Sequence, residues 1–363
     1  MAELLLELYS EEIPPLLQIE ARNQLKQLTE NSFKEKNIPY KEVFTYSSPT
    51  RLSLKVKDIP EKIKIAAKEI RGPNVNSSEQ IIEGFIKAKN ITLKDLFKKK
   101  TEKGFFYFTK TEQETLMVEE LLLIILPKTL AAINWKKSMK WSNHNMIWGR
   151  PLRAIFVIFN HKKLPIKFGH LDASDNIVVE QNLEFKSRKI LDFKEYQYFL
   201  RSNNIILDQD ERQKIILKRI STISKTKNFQ EKINVKLLDE VVNIVEEPHV
   251  LLANFNKEYL KIPEEIIIST LEKHQRFFPI FNQRGNLTNF FFVVANKKDE
   301  KKLIIEGNKR VVEARLSDAK FFWDKDRSKN LIKQIANLKA ITFYEKLGSI
   351  YDKTQRIRQL AGL

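Results

Sequence analysis

The sequence contains no cysteine. This absence excludes disulfide frameworks, thiolate zinc sites and cysteine nucleophiles, and it favours a cytosolic protein. Long hydrophobic runs are missing too, since none exceeds six residues; one such run, 121–126, ends at Pro127 and falls far short of the roughly 20 apolar residues that cross a bilayer. Residues 1–12 carry acidic side chains within an apolar stretch and no basic start, which argues against a signal peptide. We therefore expect a cytoplasmic chain without a membrane partner.

Nucleotide-binding and catalytic motifs are also missing. No GxxxxGK[ST] loop occurs and no GxGxxG follows a predicted strand, so we do not expect this chain to bind ATP. The histidines show no HxxxH or HxxEH spacing, and no serine lies in a GxSxG context. Adjacent carboxylate pairs such as Glu11–Glu12 are explained as helix starts or solvated faces. The sequence thus predicts neither a catalytic residue nor a metal site.

Positive charge is in excess. The chain has 64 Lys and Arg against 46 Asp and Glu, a formal net charge of +18 that attracts polyanions such as nucleic acid or acidic membrane surfaces. Only 16 of these cations are arginine, and the chain is also rich in Asn and Ile, so an A- and T-rich coding sequence explains the lysines equally well. The arginines are better indicators of a binding site than the lysines are, because a planar guanidinium suits sites that require bidentate contacts.

Hydrophobic periodicity predicts a mixed architecture. Alternation through 3–8, helical spacing over 17–33 and alternation over 44–56 indicate a β-α-β order, with a hairpin turn at Ser47-Ser48-Pro49-Thr50. Beyond Asp299 the pattern is nearly all helical. We predict an α+β, multi-domain fold with small mixed or antiparallel sheets, packed helices and a helical C-terminal part.

Turn-forming residues suggest where the chain divides. Arg71-Gly72-Pro73 interrupts the periodic pattern, and Lys103-Gly104 separates two short β-like runs. The predicted segments are a β-α-β domain at 1–70, an α+β domain at 71–190, a second α+β domain at 191–298 and a helical segment at 299–363.

Two clusters combine basic and aromatic residues. The tryptophan cluster, 135–153, contains three tryptophans, and its candidate RNA-binding cations are Lys136, Lys137, Lys140, Arg150 and Arg153. No acidic residue occurs from 134 to 160, so we expect nothing nearby to neutralise them. The second cluster, 273–279, offers Lys273 and Arg276 where a predicted helix meets an aromatic strand. This composition suits stacking on bases and binding a phosphate backbone, although tryptophans buried beneath a basic loop give the same pattern.

A third basic stretch has a structural interpretation. Within 308–327, arginines 310, 315 and 327 interleave with aspartates 318, 324 and 326 on a predicted helix. We expect ion pairs at i,i+3 and i,i+4 spacing to engage these arginines.

Ordered motifs run along nearly the whole chain. They are LLLELYSEEIPP at the start, SSPTRLSLKV, RGP at 71–73, MKW at 139–141, RPLRAIFVIF from Arg150, EEPHVLL, LEKHQRFFPIF, GNKRVVEARLSDAKFFWDKDR at 307–327 and FYEKLGSIYDKTQRI. In this order they resemble the β subunit of bacterial glycyl-tRNA synthetase.

The resemblance implies a division of labour between two subunits. In that family the small α subunit activates glycine with ATP, while the β subunit supplies tRNA binding and is required for charging. It implies that this chain binds the α subunit and tRNA(Gly) in an α2β2 assembly, and that ATP is bound by the α subunit rather than by this chain. Because the family's β subunits are much longer, we expect this chain to be the N-terminal half, without the HD-type and anticodon-binding domains. An apolar stripe on a predicted helix that reaches Leu363 agrees, at Leu347, Ile350, Ile357 and Leu360.

One stretch departs from the family pattern. Where relatives typically carry a Gly-His-Arg-Phe-like segment, this chain reads VEQNLEF at 179–185, and acidic Glu180 and Glu184 would repel phosphate there. The competing interpretation is a free-standing RNA-binding or ribosome-associated protein without a synthetase partner. No motif supports a small-molecule enzyme or an editing site.

Overall fold

The computed structural model describes residues 1–65, 67, 69–110, 114–181 and 184–363. The chain forms two compact units, Met1–Gln209 and Asp210–Leu363. Helices and small antiparallel sheets alternate along both, which confirms the predicted α+β class. The division into four segments stays a prediction. In the described part of the chain, no helix has both the length and the apolar character needed to span a membrane.

The first unit is built from short strands and four helices among its described residues. The strands are β1 (Ala2–Ser10), β2 (Glu42–Ser48), β3 (Arg51–Ile59), β4 (Lys62–Ile65), β5 (Glu69–Asn74), β6 (Leu96–Thr101), β7 (Gly104–Lys110), β8 (Glu114–Met117), β9 (Leu152–Phe159), β10 (Lys162–Lys163), β11 (Lys167–Phe168), β12 (Leu171–Asp172), β13 (Asn176–Gln181) and β14 (Glu184–Lys189). The helices are α1 (Pro15–Glu35), α2 (Glu79–Lys89), α3 (Val118–Ala131) and α4 (Phe193–Ser202), with a 3-10 turn at Leu93–Asp95.

The main sheet of this unit has the strand order β10-β9-β1-β3-β2, with antiparallel neighbours throughout. The predicted β2–β3 hairpin is confirmed, with Ser48 opposite Arg51. Strand β1 lies in the centre because its apolar residues alternate between two buried faces. Leu6 packs in the core that also holds Leu25 of α1 and Leu122 of α3, whereas Leu5 packs in the core with residues of α4.

Strands β4 and β8 pair as a two-stranded ladder. The described residues of the chain between these two strands form a small subdomain of three strands and one helix. The pairing of 114–117 with 62–65 extends this ladder up to the residue before α3, which begins at Val118. Within the subdomain the strand order is β5-β7-β6. The break predicted at Lys103-Gly104 is the β6–β7 turn, where Gly104 has φ +110.

The second unit contains a four-stranded sheet and most of the longer helices. Its strands are β15 (Phe229–Gln230), β16 (His249–Asn254), β17 (Phe278–Asn282), β18 (Leu287–Ala295), β19 (Thr342–Tyr344) and β20 (Gly348–Ser349). Its helices are α5 (Gln209–Lys227), α6 (Val235–Val242), α7 (Glu264–Ser269), α8 (Leu303–Ser328), α9 (Leu331–Gln334) and α10 (Ile350–Ala361), with 3-10 turns at Lys257–Lys261 and Ile335–Ala340 and a π-helical segment at Thr270–His274.

The sheet of the second unit has the order β15-β17-β18-β16 and separates two cores. Phe292 packs with residues of α5 and α6, and Phe291 packs with residues of α7 and α8. The prediction of nearly continuous helix beyond Asp299 is wrong at 342–349, where β19 and β20 form a hairpin. Helix α10 begins only at Ile350, so Leu347 lies outside it.

Charged and polar side chains are buried between the main sheet and α4. Glu7 and Arg51 are each about 2% exposed, and Arg51 Nε lies 3.2 Å from Glu7 Oε2. Tyr196 donates a hydrogen bond to Glu7 Oε2 at 2.5 Å and receives one from Ser53 at 2.8 Å. Burial, and then the negative charge of Glu7, raise the pKa of Tyr196 well above its ordinary value, so its hydroxyl remains a donor.

We predict that Arg51→Met destabilises the first unit by about 3–5 kcal/mol, because it leaves the Glu7 carboxylate buried without its cation. Urea unfolding followed by tryptophan fluorescence measures this change. The matched control is Lys57→Met on the same strand, whose ion pair with Glu42 at 3.7 Å is exposed; it should cost no more than about 1 kcal/mol. Equal losses in the two variants would contradict a special role for the buried pair.

Candidate nucleic-acid interface

The tryptophan cluster is organised around a short bridge between its two halves. Met139 and Trp148 exchange backbone hydrogen bonds of 2.9 and 3.3 Å. Trp148 is 1% exposed and packs against Trp135, with ring centroids 4.9 Å apart. Trp135 lies so close to Gly149 that a Cβ there would come within 2.3 Å of the indole. Trp135 and Trp148 therefore support the loop from within.

A second aromatic group borders the same loop. Trp148 meets Phe168 edge to face at 5.4 Å, and Trp141 meets His170 at 6.1 Å. The rings of His144 and His170 stack in parallel at 3.5 Å. Burial, and then the neighbouring His144, lower the pKa of His170, which favours the uncharged ring in this stack.

Two of the five predicted cations of the cluster are engaged by carboxylates from distant parts of the chain. Lys136 is paired with Glu20 of α1. Arg153 Nη1 lies 2.8 Å from Glu180 and 3.5 Å from Glu11. Burial alone would lower the pKa of Arg153, but the hydrogen bond to Glu180 and the nearby negative charges raise it overall. The expectation that nothing neutralises these cations is therefore wrong for Lys136 and Arg153.

The other three cations of the cluster keep their charge available. Lys137 and Lys140 are exposed and Arg150 is half-buried. Among the residues that the structure describes, no carboxylate forms an ion pair with any of the three. Arg150 donates one hydrogen bond, from Nη1 to the carbonyl of Gly149 at 2.8 Å, which anchors the guanidinium on the loop. These three side chains are the part of the predicted site best placed to meet phosphate.

The second predicted cluster, in the other unit, serves mainly to end a helix. Arg276 has φ +59, and its Nη1 donates to the carbonyls of Lys273 and of Glu272, the latter at 3.4 Å. Its Nε lies 2.5 Å from Glu240. A guanidinium at the last carbonyls of a helix is favourably placed against the helix dipole. Arg276 thus has a structural role, whereas Lys273 is exposed.

Part of the stretch 179–185, which departs from the family pattern, also has a structural role. Glu180 accepts the hydrogen bond from Arg153 and, at 3.4 Å, one from Tyr9. Asn182 and Leu183 lie outside the described residues.

Among the described side chains, no three of His, Asp and Glu are grouped so that they could hold a metal ion.

The arginines of α8 do not behave as predicted. The helix itself is confirmed, since α8 contains all of 308–327. Within the described chain, however, Arg310 and Arg315 form no ion pair, and the i,i+4 pair on this helix joins Lys320 to Asp324. Arg327 instead places its guanidinium 5.9 Å from the ring centre of Trp323.

Comparison with known proteins gives a consistent family. Residues 4–363 match the family model described as Glycyl-tRNA synthetase beta subunit. A relative from Rickettsia typhi is 35% identical over 361 residues, covering 99% of this chain and 54% of the relative. Relatives from Rickettsia felis and Rickettsia bellii are each 34% identical, with coverage of 99% of this chain and 54% or 55% of theirs. All three are named glycine--tRNA ligase beta subunit, and this chain spans about half their length.

We predict that Gly149→Ala lowers the stability of the first unit by about 1–3 kcal/mol, because the added methyl group displaces Trp135. The tryptophan emission spectrum should change in the folded state, and thermal unfolding gives the stability. Gly84→Ala in α2 is the control, since a Cβ at that position meets nothing within 4 Å. Replacing a helical glycine should stabilise α2 slightly. An unchanged spectrum and stability in Gly149→Ala would contradict the tryptophan packing described above.

Proposed function

We propose, on the premise that this chain belongs to the glycyl-tRNA synthetase beta subunit family, that it acts as the β component of a two-subunit glycine–tRNA ligase. The observation that carries the proposal is the continuity of the match, from residue 4 to residue 363. Because the chain spans about half the length of its relatives, the activity proposed is that of an assembly to which this chain contributes.

The proposed partners are the α subunit and tRNA(Gly), in a cytoplasmic α2β2 assembly. In this scheme the α subunit binds ATP and activates glycine, and this chain has no catalytic residue. The lack of nucleotide-binding motifs in the sequence supports that division. A free-standing RNA-binding protein remains the competing function, and the first test below distinguishes the two.

The tRNA contact that we propose in this chain uses Lys137, Lys140 and Arg150, with Lys273 as a second point in the other unit. The first three share a loop held by the packing of Trp135 against Trp148. Exposed cations on a rigid support bind phosphate without a large ordering cost. Lys136, Arg153 and Arg276 hold the local structure through their carboxylate partners.

The first test is association with the α subunit encoded in the same genome. The tagged 363-residue chain should retain the α subunit in a pull-down, and tRNA(Gly) should be retained with the pair. The chain alone should show no glycine-dependent pyrophosphate exchange. Failure to retain the α subunit, with RNA still retained, would support the free-standing RNA-binding function. Exchange activity in the chain alone would overturn the proposed division of labour.

The second test removes the three available cations together, as Lys137→Ala, Lys140→Ala and Arg150→Ala. Affinity for tRNA at low salt should fall. The slope of log affinity against log salt should flatten by about 2–3, since each lost contact with duplex phosphate contributes about 0.9. The control replaces the exposed lysines 214, 218 and 225 of α5 with alanine, which removes the same formal charge. If both triple variants change the slope equally, binding reflects net charge and not this loop.

A further inference from the structure

The small sheet β5-β7-β6 has one face that combines aromatic rings with cations. Cross-strand pairing sets Phe97 opposite Phe108, Lys99 opposite Phe106 and Arg71 opposite Phe108. Directly opposed residues of antiparallel strands share a face, and residues two apart along a strand do so too. We call this the aromatic–basic face, and its residues are Arg71, Phe97, Lys99, Phe106, Phe108 and Lys110.

The opposite face of the same sheet is where α2 packs. Gly72 follows Arg71 in β5, so its missing side chain would point to the other face. A Cβ at Gly72 would lie 2.8 Å from Phe85 of α2. Helix α2 therefore packs on the opposite face of the sheet at β5, and the aromatic–basic face lies on the other side.

Cations lie over the rings of this face. The Arg71 guanidinium carbon is 3.6 Å from the ring centre of Phe106. Lys99 and Lys110 place their ammonium groups 5.6 Å from the centre of Phe108 and 5.7 Å from that of Phe97. Cation–π contacts of this kind order the long side chains without cancelling their charge.

The face retains net positive charge and accessible rings. Among the described residues of the three strands, the carboxylate on this face is that of Glu69, which pairs with Lys99 at 2.5 Å. Arg71 and Lys110 are exposed, and neither forms an ion pair with any residue that the structure describes. Phe97 and Phe106 are partly exposed above the buried Phe108, and the rings of Phe97 and Phe108 stack at 6.1 Å.

We propose that the aromatic–basic face binds unpaired nucleotides of RNA. Bases stack on exposed rings and on arginine planes, while lysines beside them reach the phosphates. A duplex hides its base faces, so it engages only the cations. An acidic peptide would likewise satisfy the cations but leave the rings unused. This binding requires neither the α subunit nor the tryptophan cluster, so it goes beyond the function proposed above.

The test measures binding of an eight-nucleotide, fluorescein-labelled single-stranded RNA to the 363-residue chain by anisotropy, with the corresponding RNA duplex and polyglutamate as competitors. Phe106→Leu, which removes the ring and keeps an apolar side chain, should weaken single-strand binding fivefold or more and leave duplex competition unchanged. Arg71→Ala with Lys110→Ala, which removes the two cations of this face that form no ion pair with a described residue, should reduce the salt slope by about 1.4, at about 0.7 per single-strand phosphate.

The matched control is Lys98→Ala with Lys100→Ala. These exposed lysines also lie on β6 but point to the opposite face, and their loss removes the same charge. An effect as large as that of the Arg71 and Lys110 pair would overturn the proposal. Duplex or polyglutamate competing as well as the single strand would also overturn it. If Phe106→Leu does not fold, the two double variants decide. Because no α subunit or glycine is present, this result is independent of the pull-down outcome.

Discussion

A carboxylate in the middle of a sheet is stable as an anion only if a cation and further donors accompany it. Glu7 lies on the central strand of the first unit, and Arg51 on the neighbouring strand supplies that cation. Tyr196 adds a hydrogen bond from α4, and Arg51 donates to the carbonyl of Val178 at 2.6 Å. Sheet, helix α4 and the β13–β14 hairpin are therefore joined through one buried pair.

The same network reaches the protein surface and decides which cations are available there. The Arg51 guanidinium lies 4.8 Å from the ring centre of Tyr9, and Tyr9 donates to Glu180 at 3.4 Å. Glu180 in turn holds Arg153. Arg153, which the sequence places among the RNA-binding candidates, is thus the outer end of a structural network. Within the described chain, Arg150, three residues earlier, is anchored by one hydrogen bond to a backbone carbonyl. Arg150 and Arg153 therefore differ in their availability to RNA because Arg153 has a carboxylate partner that is distant in sequence.

Local patterns predicted those parts of the fold that local interactions determine. The turn at 47–50, the opening strand and helix α8 follow from turn residues and periodicity, and all three are present. Ion-pair partners were not predictable in this way, since Glu20 and Lys136 are brought together only by the packing of α1 near the loop. The aromatic–basic face was missed for a related reason. Its pattern appears only once the β6–β7 register sets Phe97 opposite Phe108.

The packing of the rings distinguishes the two candidate RNA surfaces in the first unit. Trp148 is 1% exposed, and the partly exposed Trp135 and Trp141 pack against Trp148 and His170, so the rings of the tryptophan cluster have ring partners and its cations are the groups left to bind phosphate. In the small sheet, Phe106 is partly exposed and the Arg71 guanidinium lies over it. Phosphate contacts form with both single-stranded and double-stranded RNA and differ between them only through the charge density of the RNA. Stacking, in contrast, requires unpaired bases. The two surfaces therefore differ in the RNA that they can bind: the loop can bind paired and unpaired segments alike, whereas the sheet suits segments in which the bases are free.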